Sequence, residues 1–336
     1  MSVPLSILDL AHIGEGESVK DSFDASVELA KHAESWGYER IWYAEHHNMR
    51  TIASSATSVL IGHVAANTST IRLGSGGIML PNHAPLTIAE QFGTLATLHP
   101  GRIDLGLGRA PGSDQQTMRA MRRDPSSADR FPQEVQELQG FLSHESRVPG
   151  VIATPGFGTD VPLYILGSSL FGAQLAAALG LPFAFASHFS PDALEQAVAI
   201  YRRDFRPSAQ LETPYVIAGV NVIASDTEAD AQRQFLATKR SRVSLLLGRG
   251  RTFTDEEADM LLDAPQGQHI LQMTKYTAVG TPSTVKDYLD KFVVHADADE
   301  LIVASGVGDR KSWLRSYELL AEVSELSRRK AAGVPA

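Results

Sequence analysis

The chain has 336 residues, of which 43% are apolar and 21% charged, and its net charge is −9 at neutral pH. This length suits one large α/β domain or two average ones, with enough apolar residues for a buried core. No block rich in lysine or arginine accumulates, so we expect no nucleic-acid partner. Because cysteine is absent, disulfides, thiolate metal sites and a cysteine nucleophile are excluded.

Signals for export or membrane insertion are not visible in the sequence. The first residues lack a basic segment followed by an apolar run. No apolar stretch reaches the roughly 18–20 residues that a membrane-spanning helix needs. We therefore expect a cytoplasmic protein with no membrane partner.

Apolar strand-like runs alternate with amphipathic helical patterns along the whole chain. The predicted strands lie at residues 5–10, 40–44, 71–75, 103–108, 163–166, 183–186, 215–224 and 301–304. The predicted helices lie at residues 21–36, 54–67, 84–98, 114–122, 129–143, 170–179, 191–205, 227–247 and 311–327. Eight strand–helix units without a linker rich in proline, serine or charge favour a single α/β domain, a (βα)8 TIM barrel. This domain is predicted to cover residues 1–330, and residues 331–336 are predicted to form a disordered tail.

Two stretches are longer than the loops that usually connect such units. Residues 111–160 follow the fourth strand, and residues 249–275 follow the seventh strand and its helix. Insertions of this length act as lids, form contacts or only extend the surface. The residues themselves leave these alternatives open.

Glu45, His46 and His47 follow the second predicted strand, at the end where (βα)8 enzymes bind their ligands. A histidine beside a carboxylate could transfer protons or bind a metal. Neighbouring side chains of an extended chain point to opposite faces, so His46 and His47 should diverge and we predict no metal site. The alternative is that both histidines only satisfy the backbone of a turn.

Glycines end the third strand, and an arginine ends the fourth. Gly76 and Gly77 either mark a β-bulge or allow an unusual peptide geometry against a flat ligand. Arg109 places a permanent cation at the neighbouring strand end. Further on, the turn at residues 167–169 opens a helix, and its serines either cap that helix or help to bind a phosphate. The adjacent Arg109 favours a phosphate site.

Four segments together resemble the bacterial luciferase-like flavin monooxygenases. They are WYAEHHN (42–48), IRLGSGGIMLP (71–81), AEQF (89–92) and HPGRIDLGLGR (99–109). The resemblance covers nearly the whole chain and is greatest to members of unknown substrate called luciferase family oxidoreductase group 1. It implies a (βα)8 barrel that uses reduced FMN and O2 to oxygenate a small organic substrate.

The same resemblance implies roles for individual residues. His46 matches the family histidine near the reactive carbon of the flavin, and Glu45 beside it is the second predicted catalytic residue. Gly76 and Gly77 match the family's non-proline cis peptide behind the flavin ring. The predicted cofactor-binding residues lie at three strand ends: Ser75, Gly76, Gly77, Arg109, Gly167, Ser168 and Ser169. The segment 249–275 matches the family's mobile loop, which favours a lid.

Two departures from the luciferases proper argue against light emission. Gly108 replaces a cysteine close to the flavin, and Ser168 replaces an acidic residue in the phosphate turn. No second nucleotide-binding motif for NAD(P)H is visible, so reduced FMN is expected from a separate flavin reductase. The substrate is not encoded in any motif. Candidate pocket residues at strand ends are Asp9, His12, Met79, Asn82 and His188.

Two other functions remain open at this point. One is a deazaflavin-dependent oxidoreductase that transfers hydride on the same barrel. The other is a non-catalytic flavin-binding protein, which the intact segment from Glu45 to His47 disfavours.

The predicted helices at 54–67 and 84–98 carry more apolar residues than one face packed on a barrel requires. These residues are Ile61, Val64, Ala65, Phe92 and Leu95. Luciferase subunits pair through comparable helices, so the resemblance and this apolar surface together predict a homodimer.

Overall fold

The computed structural model describes residues 3–110, 114–248 and 251–326. Its strands are β1 (Leu5–Asp9), β2 (Arg40–Tyr43), β3 (Arg72–Met79), β4 (Ile103–Gly108), β5 (Leu163–Gly167), β6 (Phe183–Phe185), β7 (Val216–Ala224), β8 (Thr277–Gly280) and β9 (Glu300–Ala304). Strands β1 to β7 pair in parallel in chain order, and β9 closes the barrel between β7 and β1. The predicted (βα)8 barrel is thereby confirmed, and the predicted tail lies outside the described residues.

Helices surround the barrel. They are α1 (Val19–Trp36), α2 (Thr57–Ala65), α3 (Pro85–Leu98), α4 (Gln115–Ala120), α5 (Phe131–Leu142), α6 (Leu170–Leu179), α7 (Leu194–Asp204), α8 (Glu228–Leu247), α9 (Asp255–Asp263), α10 (Pro265–Gln272), α11 (Pro282–Ala296) and α12 (Arg310–Val323). Helix α1 shows how the sequence sets their limits: Ser18 and Asp21 form a capping box, and Gly37 ends the helix in the left-handed conformation. None of the described helices has the length and apolarity needed to cross a membrane.

Strand β3 continues past its predicted end at residue 75 and runs through the glycines to Met79. Its pairing with β4 shifts between Ser75 and Ile78, and the Gly76–Gly77 peptide between them is cis. A Cβ atom on Gly77 would lie 2.7 Å from the carbonyl oxygen of Gly106. The strand end is therefore both a bulge and the cis peptide that the sequence suggested, and only glycine fits it.

Helices α11 and α12 pack on β7 more extensively than α8, the helix predicted at 227–247. Helix α11 buries Val285, Leu289, Phe292 and Ala296 at helical spacing and packs against β7, α7 and α12. Helix α8, whose residues are all described, buries only Ala231 and Val243. The predicted helix at 227–247 is thus confirmed as α8, but its place as the barrel helix of the seventh unit was wrong, because a helix that directly follows a strand was assumed to cover it.

The second insertion is consequently longer than the predicted segment 249–275. It extends from α8 through α9 and α10 to β8, a strand that the sequence pattern did not reveal. Strand β8 pairs with the last residues of β7, beyond the part of β7 that closes the barrel. We call this unit, residues 228–280, the helical insertion.

The helical insertion has an apolar cluster of its own, separate from the barrel core. Val243, Leu262 and Ile270 form this cluster, one residue from each of α8, α9 and α10. Arg240 of α8 donates to both Asp255 and Asp259 of α9, with 2.7 Å between its Nε and Asp259 Oδ1. The insertion is thus held together internally as well as by its strand.

The first insertion contains α4, a short 3-10 helix (Pro125–Arg130) and α5. Helix α5 buries Val135, Leu138 and Phe141 and packs against α3, so it is the barrel helix of the fourth unit. The predicted helices at 114–122 and 129–143 agree with α4 and α5 to within a turn at each end.

Charged groups fill the barrel at the N-terminal ends of its strands, which we call the barrel floor. Arg40 of β2 donates to Glu300 of β9 and to Asp104 of β4, each at 2.9 Å. The same guanidinium donates to the hydroxyl of Tyr164 at 2.8 Å, and Tyr215 donates to Glu300 at 2.8 Å. Above the floor lies an apolar layer: Leu8, Trp42, Ala44, Tyr164, Ala184, Ile217, Ile302 and Ala304. Ligands can therefore enter only from the C-terminal end.

The five residues that suggested a dimer surface are buried in the chain's own core: Ile61, Val64, Ala65, Phe92 and Leu95. The reason is that α2 and α3 pack on each other as well as on the barrel, where Ser58 donates to Gln91 at 2.8 Å. The prediction that these five residues form a dimer surface is therefore wrong. The exposed large apolar residues of these helices are Val59 and Leu98, at 71% and 65% exposure.

Candidate active site

The Glu45 carboxylate, just after β2, joins two strand ends of the barrel. Its Oε2 accepts the backbone N–H of Met79 at 2.9 Å, at the end of β3. Its Oε1 lies 2.8 Å from Nε2 of His47 and 2.9 Å from Nε2 of His83. Within the ranges that the structure describes, its hydrogen-bond partners do not include His46. The side chain is only 1% exposed, so its bonds are made inside the protein.

The ionisation of Glu45 follows from these bonds. Burial alone would raise the pKa of its carboxyl, but hydrogen bonds from His47, His83 and the Met79 amide outweigh burial and lower the pKa to about 2. A carboxylate with this pKa is ionised at neutral pH and is a poor proton carrier. Its predicted part in catalysis stays a prediction, and the geometry favours a positioning role. No sequence pattern pointed to His83, which is 38 residues from Glu45 along the chain.

His46 lies on the opposite side of the chain from Glu45. Its Nδ1 atom is buried and has no hydrogen-bond partner among the described residues. Burial, and then the neighbouring His12, lower the pKa of His46, so its imidazole is neutral at pH 7. His46 and His47 diverge, as strand alternation predicted, because His47 turns back to Glu45. A neutral imidazole with an unsatisfied nitrogen is suited to exchange a proton with a bound ligand.

Two further histidines share the opening with His46. Burial, followed by the nearby Arg242 and His46, lowers the pKa of His188, after β6, to about 3. The His188 ring lies so close to Gly219 of β7 that a side chain there would overlap its Nδ1 atom. Burial also lowers the pKa of His12, after β1. We call this C-terminal opening of the barrel, bordered by His12, His46 and His188, the mouth.

The remaining candidate pocket residues are Asp9, Asn82 and Met79, and their polar groups make bonds away from the mouth. The Asp9 carboxylate accepts the Ala11 amide at 2.8 Å and the Ser26 hydroxyl at 2.6 Å, on the helix side of β1. The Asn82 amide lies beside Glu45, with 3.3 Å between Nδ2 and Oε1. The Met79 amide is bonded to Glu45, as described above. These groups support the strand ends from outside.

Arg109 and the turn at residues 167–169 come together on one side of the mouth. Strands β4 and β5 pair in parallel, so their ends are neighbours. The Arg109 guanidinium stacks on Phe171, in the first turn of α6, with 4.0 Å from Cζ to the ring centroid. Ser169 is the N-cap of α6, but its side chain makes no capping hydrogen bond. A cation, a free hydroxyl and a helix N-terminus in one place suit a phosphate.

Ser75 and the two glycines lie between His46 and this phosphate-compatible corner. The Ser75 hydroxyl is fully buried and donates to the Gly106 carbonyl at 2.8 Å. Ser75 therefore holds β3 to β4, while Gly76 and Gly77 present bare backbone beside it. That these residues bind a cofactor stays a prediction.

Known proteins are similar to this chain over nearly its whole length. A sequence model of the luciferase-like monooxygenases matches residues 3–299. The chain is 50% identical over 329 residues to a luciferase-like monooxygenase of Escherichia coli K12, covering 96% of this chain and 98% of that protein. It is 33% identical over 330 residues to the N-acetyl-S-alkylcysteine monooxygenase of Bacillus subtilis 168, covering 95% and 98%. The crystal structure of apo-MsnO8 is similar, with a TM-score of 0.87 and 37% identity over 96% of this chain and 99% of that one.

More distant structures share the fold alone. The oxygenating constituent of 3,6-diketocamphane monooxygenase from Pseudomonas putida, in complex with FMN, has a TM-score of 0.72 at 18% identity, over 98% and 99% of the two chains. An F420-dependent secondary alcohol dehydrogenase has a TM-score of 0.71 at 14% identity, over 98% and 100%. Proteins of this fold thus bind two kinds of cofactor.

Replacing Glu45 by glutamine should destabilise the protein at neutral pH by roughly 3 kcal/mol, the equivalent of lowering the pKa from 4.5 to about 2. Because the folded-state pKa is below the unfolded one, this contribution is complete above pH 4.5 and is lost as the pH falls towards 2. Urea unfolding at pH 7, 5 and 3 measures it, with the exposed Glu28→Gln as the control. Equal stability of both variants at pH 7 would contradict the positioning role.

Proposed function

Because this chain belongs to the luciferase-like monooxygenase family, we propose that it is a flavin-dependent monooxygenase. It uses reduced FMN and O2 to oxygenate a small organic substrate. One observation carries this proposal: the phosphate-compatible corner of Arg109, Phe171 and Ser169 opens on the same mouth as the unpartnered Nδ1 of His46. A phosphate anchor and a neutral imidazole at one opening are what an FMN enzyme of this type requires.

The residues present fit FMN. Arg109, Gly167, Ser168 and Ser169 would hold its phosphate, and the buried, unsatisfied Nδ1 of His46 calls for a ligand partner. Backbone at Gly76 and Gly77, held from behind by Ser75, would contact its flat ring. When bound, reduced FMN would supply the electrons that activate O2.

The chain's own residues position the reacting groups, exclude water from the mouth and exchange a proton. The apolar layer above the barrel floor excludes water from the bottom of the mouth. His46, neutral at pH 7, accepts or donates one proton at a ring nitrogen. Glu45 fixes the ends of β2 and β3 through the Met79 amide and so sets the position of His46 relative to the glycines.

Reduced FMN would come from a separate flavin reductase, since the sequence shows no second nucleotide-binding motif. Two findings would overturn the proposal. One is that the protein uses a deazaflavin, and the other is that it binds flavin tightly without turnover. Anaerobic titration of the apoprotein with reduced FMN and with a reduced deazaflavin, followed by O2, distinguishes the three. FMN binding with O2 uptake supports the proposal, whereas exclusive deazaflavin binding or FMN binding without turnover refutes it.

Replacing Arg109 by alanine should weaken FMN binding by roughly 1.5–3 kcal/mol, because one charge-assisted hydrogen bond to phosphate is lost. Fluorescence titration with FMN measures this. Arg203, an exposed arginine of α7 paired with Asp204, gives the matched control Arg203→Ala, which should bind as the wild type does. Unchanged affinity of the Arg109 variant would place the phosphate elsewhere.

Replacing His46 by alanine should leave FMN binding intact and slow coupled oxygenation by about 10²–10⁴-fold, because proton transfer is lost. Oxygen should then be released as hydrogen peroxide, which an oxygen electrode with and without catalase detects. His63→Ala, on the exposed side of α2, is the control. If the His46 variant oxygenates its substrate at the wild-type rate, His46 is structural.

We also propose a homodimer, now through the exposed residues Val59 and Leu98 of α2 and α3. Burying two exposed apolar side chains against a second copy removes them from water. Light scattering at micromolar concentration should report a dimer, and the double change Val59→Glu and Leu98→Glu should produce monomers. A wild-type monomer would rule the dimer out.

A further inference from the structure

Helix α8 of the helical insertion lies near the ends of β7 and β9, across the barrel from Arg109 at the end of β4. Thr238 of this helix lies against the chain just after β9, with 3.0 Å between its Oγ1 and the Gly306 carbonyl oxygen. A Cβ atom on Gly306 would lie 2.7 Å from Thr238 Cγ2, so any larger residue there would have to displace the Thr238 side chain. Arg242 follows Thr238 by four residues and therefore lies on the same face of α8.

Arg242 is a half-buried cation without an anionic partner. Its recorded hydrogen bond, in the part of the chain that the structure describes, is a long one of 3.4 Å from Nη1 to the Met273 carbonyl. No carboxylate there forms an ion pair with it, and the residues outside that part contain no aspartate or glutamate. Arg102 offers a comparison: it is also half-buried, but it bonds to the Ile71 and Thr68 carbonyls. Burying a cation without such partners is costly unless a ligand supplies them.

Among the residues that the structure describes, no carboxylate acts on the pKa of Arg242, which burial alone lowers. Arg242 interacts electrostatically with His188 and His12, whose rings border the mouth and whose pKa values are lowered first by burial. Asp9 interacts electrostatically with His12 and Glu45 with His46, and both carboxylates are already hydrogen-bonded within the protein. Neutral imidazoles can donate hydrogen bonds but do not neutralise a guanidinium.

The bottom of the mouth beneath these groups, above the charged barrel floor, is apolar. Leu10, Leu166 and Ala304 belong to the apolar layer or pack against it. A ligand that satisfied both surfaces would carry an anionic group on one end and an apolar body on the other.

We propose that Arg242 is the substrate-binding cation of the mouth and that the substrate is a small organic carboxylate with an apolar body. This inference rests on the proposed function, because it assigns Arg109 to the cofactor phosphate and Arg242 to the substrate. Arg109 lies at the end of β4, whereas Arg242 lies on α8, near the ends of β7 and β9. A planar guanidinium binds a carboxylate through two parallel hydrogen bonds, which an ammonium cannot match.

Binding of matched ligands to the FMN-loaded protein tests this inference. The probes are butanoate, hexanoate, octanoate and benzoate, each beside its uncharged amide, with hexanesulfonate as a second type of anion. Calorimetry should show at least one carboxylate binding roughly ten- to hundredfold more tightly than its amide. Arg242→Gln should abolish that preference, and Arg242→Lys should restore only part of it. The control Arg233→Gln, an exposed position on the same helix, should keep it.

Equal binding of acids and amides, no binding of any carboxylate, or a preference that survives Arg242→Gln would overturn the inference. Tighter binding of hexanesulfonate than of hexanoate would overturn the choice of carboxylate. FMN affinity is measured on the same variants and should not change in Arg242→Gln. If FMN binding and O2 uptake hold while the carboxylate preference fails, the inference falls and the proposed function stands. Failure of FMN binding itself would instead refute the proposed function.

Discussion

The buried charge network of the barrel floor is the constraint on which the rest of the molecule depends. Arg40, Asp104 and Glu300 come from strands that do not pair with each other, so their bonds cross the interior and join its walls. Each charge would be costly to bury alone, and removing one partner would leave the others uncompensated. Burial alone would lower the pKa of Arg40, but Glu300 and Asp104 outweigh it. The floor thereby fills the N-terminal end of the barrel, and the candidate active site lies at the C-terminal end.

At that other end, polar groups are divided between two sides of one opening. The side at β4 and β5 is built by the barrel itself, with Arg109 stacked at the start of α6. The side at β7 and β9 is built by the helical insertion, which contributes Arg242. His46 stands between them with its unsatisfied nitrogen. Arg109 belongs to the barrel and Arg242 to the helical insertion, and these two parts have separate apolar cores.

The sequence predicted most strands because long apolar runs identify strands buried on both faces. It predicted the meeting of Arg109 with residues 167–169 because strand ends of a parallel barrel share one edge. Partners distant along the chain could not be predicted: His83 beside Glu45, or Glu300 beside Arg40, leave no local pattern. Four-residue β8 is too short for a periodic signal. Burial of Ile61 in a helix pair was mistaken for an interface, because apolar residues alone do not say which neighbour covers them.

The glycine-rich end of β3 makes one wall of the mouth out of main chain. A side chain at Gly76 would collide with Leu8 and Trp42, and one at Gly77 with the backbone of Gly106. Any residue larger than glycine is therefore excluded at these two positions, and the main chain sets the shape of this wall. Changes that adapt the mouth to new compounds fall instead on the opposite wall, which α8 forms. The helical insertion that contains α8 has an apolar core of its own, so its residues can be replaced without disturbing the barrel core. Engineering of this protein for new substrates should therefore keep Gly76 and Gly77 and vary the residues of α8 that face the mouth.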